Sequence, residues 1–396
     1  MSKNALENVR VLDLSSVIAA PFAANILADF GAEVIKVEMP GRGDSFRAMG
    51  PFVDGKSIRW QSMSRNKKAV TLDLHYEEGK KILLDLVAIS DVIIENFRTG
   101  TLDKWGLDID TLRKANPKII VTRVTGYGQT GPNKNLAGFG TPCTAFSGVT
   151  YLLGYPDRPP VSPSFSLADY IAGMNAAIGT LLALYHRDAR GGAAQEVDVS
   201  LYESLFRMME TIVAEYHLTG KVKERTPKMS GSASPSGTFR TKDGKWVVLV
   251  CSTNRTFEYL TNAMQRRDLL ETYANTPERL RDDEFITKLT ADWIAQFDFK
   301  DLKELCAREG VPVDLVYSIE DIYEDPQYAA RHNIVEMPCA DFGSIKMPSV
   351  TPILSETPGE IKWAGEPMGA RNEEIYKGLL GMDDKTYQSL AEKKII

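Results

Sequence analysis

The sequence has few of the residues that metal and disulfide chemistry need. Its 396 residues hold four cysteines, Cys143, Cys251, Cys306 and Cys339, far apart and with no CxxC pair. Neither a disulfide framework nor a zinc site is indicated, and a reducing cytoplasm fits. The four histidines, His75, His186, His217 and His332, are equally scattered, which removes HExxH and the usual metal clusters. The chemistry is therefore expected to use no metal. A basic excess is missing as well: 47 Lys and Arg stand against 53 Asp and Glu, a net charge of −6. Nothing here would follow a phosphate backbone or an anionic bilayer, so neither nucleic acid nor membrane is an expected partner. The opening MSKNALENVRVLDLSS lacks the basic-then-apolar pattern of a signal peptide, so export is not expected. The longest apolar stretch, Ile171 to Tyr185, is broken by Asn175 and followed by HRDAR. It is shorter than the ~20 residues that span a bilayer and reads as a buried helix.

What is present suits a multidomain globular chain. The length allows two or three domains of roughly 100 to 200 residues, and 43% hydrophobic with 25% charged residues is the balance of a protein that buries a core. Val9 to Leu14 (VRVLDL) is rich in branched residues and predicts a strand. Pro21 sits where a first helical turn tolerates it, and PFAANILADFGA runs to a stop at Gly31. The cycle repeats through EVIKVE (Glu33 to Glu38), AVTLDL (Ala69 to Leu74), the helical YEEGKKILLDLVAI, DVIIENF (Asp91 to Phe97) and KIIVTRV (Lys118 to Val124). Near-continuous apolar strands alternating with helices predict an α/β domain with a parallel sheet covered on both faces. From Ser166 to Tyr216 the pattern is mostly helical, with QEVDVS (Gln195 to Ser200) as a further strand of the same domain. SGSASPSG (Ser230 to Gly237) is turn-prone, and GTFRT and KWVVLV flank Lys242-Asp243-Gly244 as a hairpin. A boundary near 220–232 follows, and VPVDLVYS is the next strand candidate.

Several motifs have a plain reading beside a functional one. Gly126, Gly128 and Gly131 in GYGQTG spell GxGxxG after a strand, but Pro132-Asn133-Lys134 follows where a dinucleotide fingerprint opens a helix, and the acidic strand end ~20 residues on is missing. A loop at the carboxyl end of a strand is the expectation, not an NAD site. Arg42, Lys67, Lys68, Arg98 and Lys104 lie near strand ends and can meet a phosphorylated ligand or be solvated surface charge. Asn96 and Phe97 can bind an adenine or cap the sheet. Ser166-Leu-Ala-Asp169 has the spacing of a capping box. An ionised carboxylate at the same helix end, in a mostly apolar site, is also placed to attack an activated acyl carbon. The loop Cys251 to Arg255 can line an acyl pocket through its amides, or cap the helix that follows through Ser252, Thr253 or Asn254.

Taken together, VRVLDLSSVIAAPFAANILADFGAEVIKVE with GRGD, NKKAVTLDL, DVIIENFRTGTLDKWGL, NPKIIVTRVTGYGQTGP, SLADYIAGMNAAIGTLLAL and VDVSLYESL resemble the class III CoA-transferases, the family of formyl-CoA transferase and the carnitine CoA-transferases, which also contains the α-methylacyl-CoA racemases. The resemblance is dense over residues 8–210 and loose over 235–355. It implies transfer of CoA from an acyl-CoA to a free carboxylate, with Asp169 matching the catalytic aspartate that forms a mixed anhydride and then an aspartyl-CoA thioester. Val17, Ala19, Leu72, Asn96, Phe97, Arg98 and Lys104 match CoA contacts, Arg98 and Lys104 for phosphates. Coenzyme A is the implied cofactor, carried as substrate, with no metal and no NAD. The implied fold is a Rossmann-like large domain over 1–222 completed by 335–396, a smaller α+β domain over 223–334, and an interlocked-ring homodimer. Some positions depart from the pattern. Phe139-Gly140 stands where the racemases carry His-Asp, which disfavours racemisation. Gly140 also stands where formyl-CoA transferase has a glutamate, and Cys251 to Arg255 where it has a glycine-rich loop. Met39 replaces a basic residue used on CoA, for which Arg42 is the available substitute. An acyl-CoA racemase or epimerase, or a non-catalytic CoA-binding protein, remains the alternative, and the acceptor acid is open among oxalate, a succinate-like diacid, a hydroxy acid and a betaine.

Overall fold

A computed structural model describes residues 4–209, 211–228 and 231–396. The first three residues of the N-terminal segment and Ser230, which opens the turn-prone stretch, lie outside the described residues. Two compact units divide the chain. One takes in Met1–Thr150, Ser162–Lys221 and Ala330–Ile396, the other Tyr151–Val161 and Val222–Ala329.

The first unit is built from β1 (Arg10–Asp13), α1 (Ala19–Asp29), β2 (Glu33–Glu38), β3 (Lys67–Thr71), α2 (Glu77–Ala88), β4 (Val92–Glu95), β5 (Ile120–Thr125), α3 (Leu167–Arg190) and β6 (Glu196–Ser200). The six strands form one sheet in the order β3-β2-β1-β4-β5-β6, and every neighbouring pair is parallel. The expected α/β class is therefore observed. Because successive side chains alternate faces, Val11, Val34, Val92 and Ile94 pack toward α1 and α3, while Leu12, Ile35 and Ile93 pack toward α2. Burial on both faces is why these strands read as continuous apolar runs. From β1 the chain builds outward to β2 and β3, and from β4 outward to β5 and β6. The sheet thus reverses its winding between β1 and β4, and a crevice opens there outside the carboxyl ends of the strands.

Three local expectations change. The third strand is Lys67–Thr71 rather than Ala69 to Leu74, because its ladder with β2 begins at Val34↔Lys67 and ends at Glu38↔Thr71. α3 runs for 24 residues, longer than its apolar stretch, and has the length and composition of a membrane span. Its Ala168, Ala172, Ala176 and Ala177 are buried in the core with α1 and β5, whereas Ile178, Leu182 and Tyr185 on its other side are exposed. The capping box at its start does not form: Ser166 makes no side-chain cap bond.

The end of the chain completes this unit. Lys362 N–H donates to Asn66 Oδ1 (2.7 Å), Trp363 Nε1–H to the Lys67 carbonyl (3.2 Å) and the Tyr376 hydroxyl to the Thr71 carbonyl (2.7 Å). Ile375, Tyr376 and Leu390 then enter the same core as Leu12, Ile35 and Ile93.

The second unit holds an antiparallel sheet of β7 (Ser236–Arg240), β8 (Trp246–Val250) and β9 (Val313–Leu315), with β8 in the centre. The hairpin read from the sequence is the β7–β8 pair. Between β8 and β9 come helices, the first of them α4 (Asn254–Ala263). Thr253 caps α4 in a reciprocal box with Thr256, so capping is one role that the Cys251 to Arg255 loop fills. Arg279 is fully buried. Its guanidinium donates to the carbonyls of Ser234, Tyr273 and Ala274, to Asn254 Oδ1 and to Thr276 Oγ1, all at 2.8–3.1 Å.

Candidate active site

Two cavities lie at the reversal of the sheet. One, of about 290 Å³, sits over the ends of β1, β2 and β3 and is lined by Ser15, Ser16, Met39, Arg42, Leu72, His75, Phe97 and Trp105 among others. The other, of about 190 Å³, lies on the β5 side and is lined by Val17, Ala19, Asn96, Arg98, Thr125, Gly138, Phe139 and Asp169 among others. Ser16 and Phe97 line both. The two therefore border each other at the reversal point, along the strand ends. At that point Asn96 clasps the Ser16 backbone, accepting from its N–H (2.8 Å) and donating to its carbonyl (2.7 Å), which joins the segment after β1 to the segment after β4.

Asp169 stands in the first turn of α3, facing the smaller cavity. Burial pushes its carboxyl up to about 6 from an ordinary value of 3.8, against the pull of its own backbone N–H. A helix N-terminus favours the ionised form, but desolvation is the larger effect here. The resulting carboxylate is more basic, and so more nucleophilic, than a solvated one, yet it is still mostly ionised at neutral pH. The Cys143 thiol in the same region is raised to about 11, first by burial and then by the Asp169 charge, so it stays protonated. Gly140 lies against the Asp169 carboxylate so closely that a Cβ at position 140 would overlap Oδ2. The aspartate of the racemases' His-Asp pair would have no room at position 140 with Asp169 in this position.

The glycines of GYGQTG serve packing and turning. A Cβ on either Gly126 or Gly138 would overlap the other's Cα, so the loop after β5 closes back on itself. No helix opens at Gly131, and the next one is Gly140–Phe146. The geometry of a dinucleotide fingerprint is not formed.

The structure brings together most of the residues singled out from the sequence. Asp169, Val17, Ala19, Asn96, Phe97 and Arg98 share the smaller cavity, and Arg42, Leu72 and Phe97 the larger one. Lys104 stands apart, lining a third depression with Lys80, Lys81 and Trp105. Among the described residues Arg42, Arg98 and Lys104 have no ion-pair partner. Lys68 is held by Glu33 and Glu374, both at 2.7 Å. Lys67 is no phosphate ligand: it is buried and bound to Asp13 (2.8 Å) and the Pro21 carbonyl (2.7 Å). Asn96 holds the Ser16 backbone rather than capping the sheet, and Phe97 packs edge-on against Trp105 (5.1 Å between centroids).

The sequence reading missed a buried ionic cluster beneath the larger cavity. Asp13 lies between Lys36 and Lys67, and Lys36 also reaches Asp44 (3.0 Å). Burial pulls the Lys36 ammonium down, but Asp13, Asp44 and Glu38 outweigh it and raise it to about 12. Burial would raise Asp44, and Lys36 holds it below the usual carboxylate range. The available signal was charge at positions 13 and 36 inside otherwise apolar strands, together with the aspartate that ends GRGD.

The chain is similar to known proteins along nearly its whole length. The chain is 43% identical over 397 residues, 99% of its own length and 98% of the relative's, to the succinyl-CoA–L-malate CoA-transferase beta subunit of Chloroflexus aurantiacus. It is 39% identical over 394 residues to the succinyl-CoA–D-citramalate CoA-transferase of the same organism, with 99% and 98% of the two chains covered. The crystal structure of a CAIB/BAIF family protein from Brucella suis superposes with a TM-score of 0.83 at 28% identity, over 95% of this chain and all of that one. Residues 6–372 match CoA-transferase family III, and with the relatives matched along nearly their whole length, the chain belongs to that family of CoA-transferring enzymes.

Proposed function

We propose that this enzyme moves CoA from succinyl-CoA to a small dicarboxylic acid of the malate type, with Asp169 as its nucleophile. The observation that carries the reading is the half-buried Asp169 carboxylate, raised to about 6, lining a cavity that borders a larger one at the strand ends. At pH 7 such a group is ionised in roughly nine molecules of ten. The acceptor class follows from the names of the relatives, which act on malate and citramalate.

In this reading the nucleotide end of CoA occupies the larger cavity against Leu72 and Phe97, with Arg42 and Arg98 near its phosphates and Lys104 at the outer end. The pantetheine arm passes Ser16, Val17 and Ala19, and the thioester reaches Asp169. An Asp169 oxygen attacks the succinyl carbonyl, the C–S bond breaks, and CoA leaves as thiolate with a succinyl-aspartyl anhydride behind it. The thiolate attacks Cγ of Asp169, succinate departs, and an aspartyl-CoA thioester remains. The acceptor carboxylate attacks the same Cγ and expels the thiolate, which then takes the acceptor's acyl carbon and frees Asp169. Each step replaces one anion, carboxylate or thiolate, by another at an acyl carbon, so no net proton or electron is needed. The exposed Ile178, Leu182 and Tyr185 of α3 support a covering second chain, for which we propose the interlocked homodimer, in the cytoplasm.

The test supplies labelled succinyl-CoA with a panel of acids. Transfer to malate or citramalate is expected, with hydroxylamine during turnover modifying Asp169 in a peptide mass map. Turnover retained by Asp169→Ala would refute the assignment of the nucleophile. A native mass of one chain would refute the dimer.

A further inference from the structure

We infer that Asp44 is a positioning residue for this reaction, holding the backbone of Val17 in a left-handed conformation that valine does not keep unaided. The inference rests on the reading that acyl-CoA passes the Ser15–Ala19 segment.

Val17 has φ of +69°. For a β-branched residue this is a real outlier, because Cβ and both γ carbons crowd the backbone there. Such a conformation persists only where the surroundings over-determine it, and it clusters at functional sites. Asp44 supplies the restraint. Its Oδ1 accepts the Val17 N–H (3.1 Å) and the Phe46 N–H (2.9 Å), and its Oδ2 pairs with buried Lys36 (3.0 Å). Its own N–H donates to Glu38 Oε2 (2.8 Å), which Arg47 holds in turn (2.7 Å). The carboxylate is fixed at both oxygens and at its backbone, so it cannot follow Val17 if Val17 relaxes.

The neighbouring positions are held as well. Lys36 bonds the Ser15 carbonyl, Asp13 Oδ1 accepts the Ser15 N–H (3.0 Å), and Asn96 clasps Ser16 from the far side. Among these contacts only Asp44 acts on Val17 itself. A glycine would adopt the same φ without a restraint, but it would give up the side chain that packs with Ile18, Phe46 and Trp60 and walls the smaller cavity. Valine keeps the wall, and Asp44 provides the conformation.

The test is a double-mutant cycle on the full chain, read as kcat/KM for succinyl-CoA, as Kd for CoA by calorimetry and as thermal midpoint. Asp44→Ala is expected to lower kcat/KM about tenfold, mainly through KM. In the Val17→Gly background the same substitution is expected to cost less than about threefold, since the restraint then has nothing to hold. Equal losses in the two backgrounds would assign Asp44 to the charge balance of Lys36 alone and overturn the inference. Should Asp44→Ala fail to fold, the combined Asp44→Ala, Val17→Gly variant decides: a folded protein that turns over supports the inference, and an unfolded one overturns it. Unmutated protein that does not bind CoA would sink the reading beneath it and the inference together, whereas CoA binding with equal losses sinks the inference alone.

Discussion

Replacing Asp169 by asparagine should abolish turnover and make the protein more stable, and the second effect is the sharper test of what this side chain does. Burial carries the carboxyl from 3.8 to about 6, so the folded state binds its proton more tightly than the unfolded state does. The ionised form therefore costs stability above pH 6. A difference of about two units corresponds to ~3 kcal/mol for a fully dry group, and solvent at the half-buried carboxylate reduces this to about 1–2 kcal/mol. Asp169→Asn should recover that amount at pH 7.5 and raise the thermal midpoint by about 1–2.5 °C. As pH falls from about 6 toward about 4 the wild-type carboxyl takes up its proton in the folded state, and the advantage of asparagine should fade. Scanning calorimetry of both proteins at pH 7.5 and 4.5 measures this directly. Turnover should fall by about a thousandfold or more, as for loss of a covalent nucleophile. A variant less stable than wild type at pH 7.5 would mean that the helix N-terminus stabilises the ionised carboxylate, by about 0.3–1 kcal/mol, more than burial costs it. A gain independent of pH would mean that charge burial is not its cause. Either result refutes the reasoning.

For the same reason kcat/KM should be level above about pH 7 and fall close to tenfold per unit below about pH 6; a profile flat to pH 5 would exclude Asp169 as the titrating nucleophile. Gly140→Ala puts a Cβ where Asp169 Oδ2 sits, and the displaced carboxylate should lower kcat about a hundredfold with little change in KM. An unchanged kcat would show that the carboxylate has room to move. In the second unit Arg279→Met strips the donors from three carbonyls, Asn254 and Thr276 and should cost about 3 kcal/mol, read as a fall in its unfolding midpoint. No fall would mean that water replaces the guanidinium.

The strands were legible because burial on two faces leaves its mark on consecutive residues, and EVIKVE matches the observed Glu33–Glu38 residue for residue. Leu72 and Leu74 extend the apolar pattern of the third strand past its ladder, because they bury in the core shared with α2 and the C-terminal segment. Lys67 looked like a ligand for phosphate because its counter-ion, Asp13, lies 54 residues earlier, a separation that no local pattern reveals. Ser166 and Asp169 have the spacing of a capping box, but whether the box closes depends on the backbone at Ser166, where ψ is 62° rather than extended. Asp169 could be preferred as a nucleophile over a helix cap only through resemblance to a family, since a carboxylate at a helix start is common. The strain at Val17 and its restraint by Asp44 had no signature at all, because valine is ordinary in any loop until its φ is known.

The returning C-terminal segment sets an order of events during synthesis. Tyr376 and Ile375 fill a hollow under Leu12, Ile35 and Ile93, yet the ribosome makes them long after the last strand residue of that core, Val121. At about 5–20 residues per second that interval is on the order of 10–50 s. Through it the α2 face of the nascent sheet stays apolar and unsealed, and the intervening unit, whose core is drawn from its own residues, is free to fold first. A chain stalled after the second unit would leave this seam exposed.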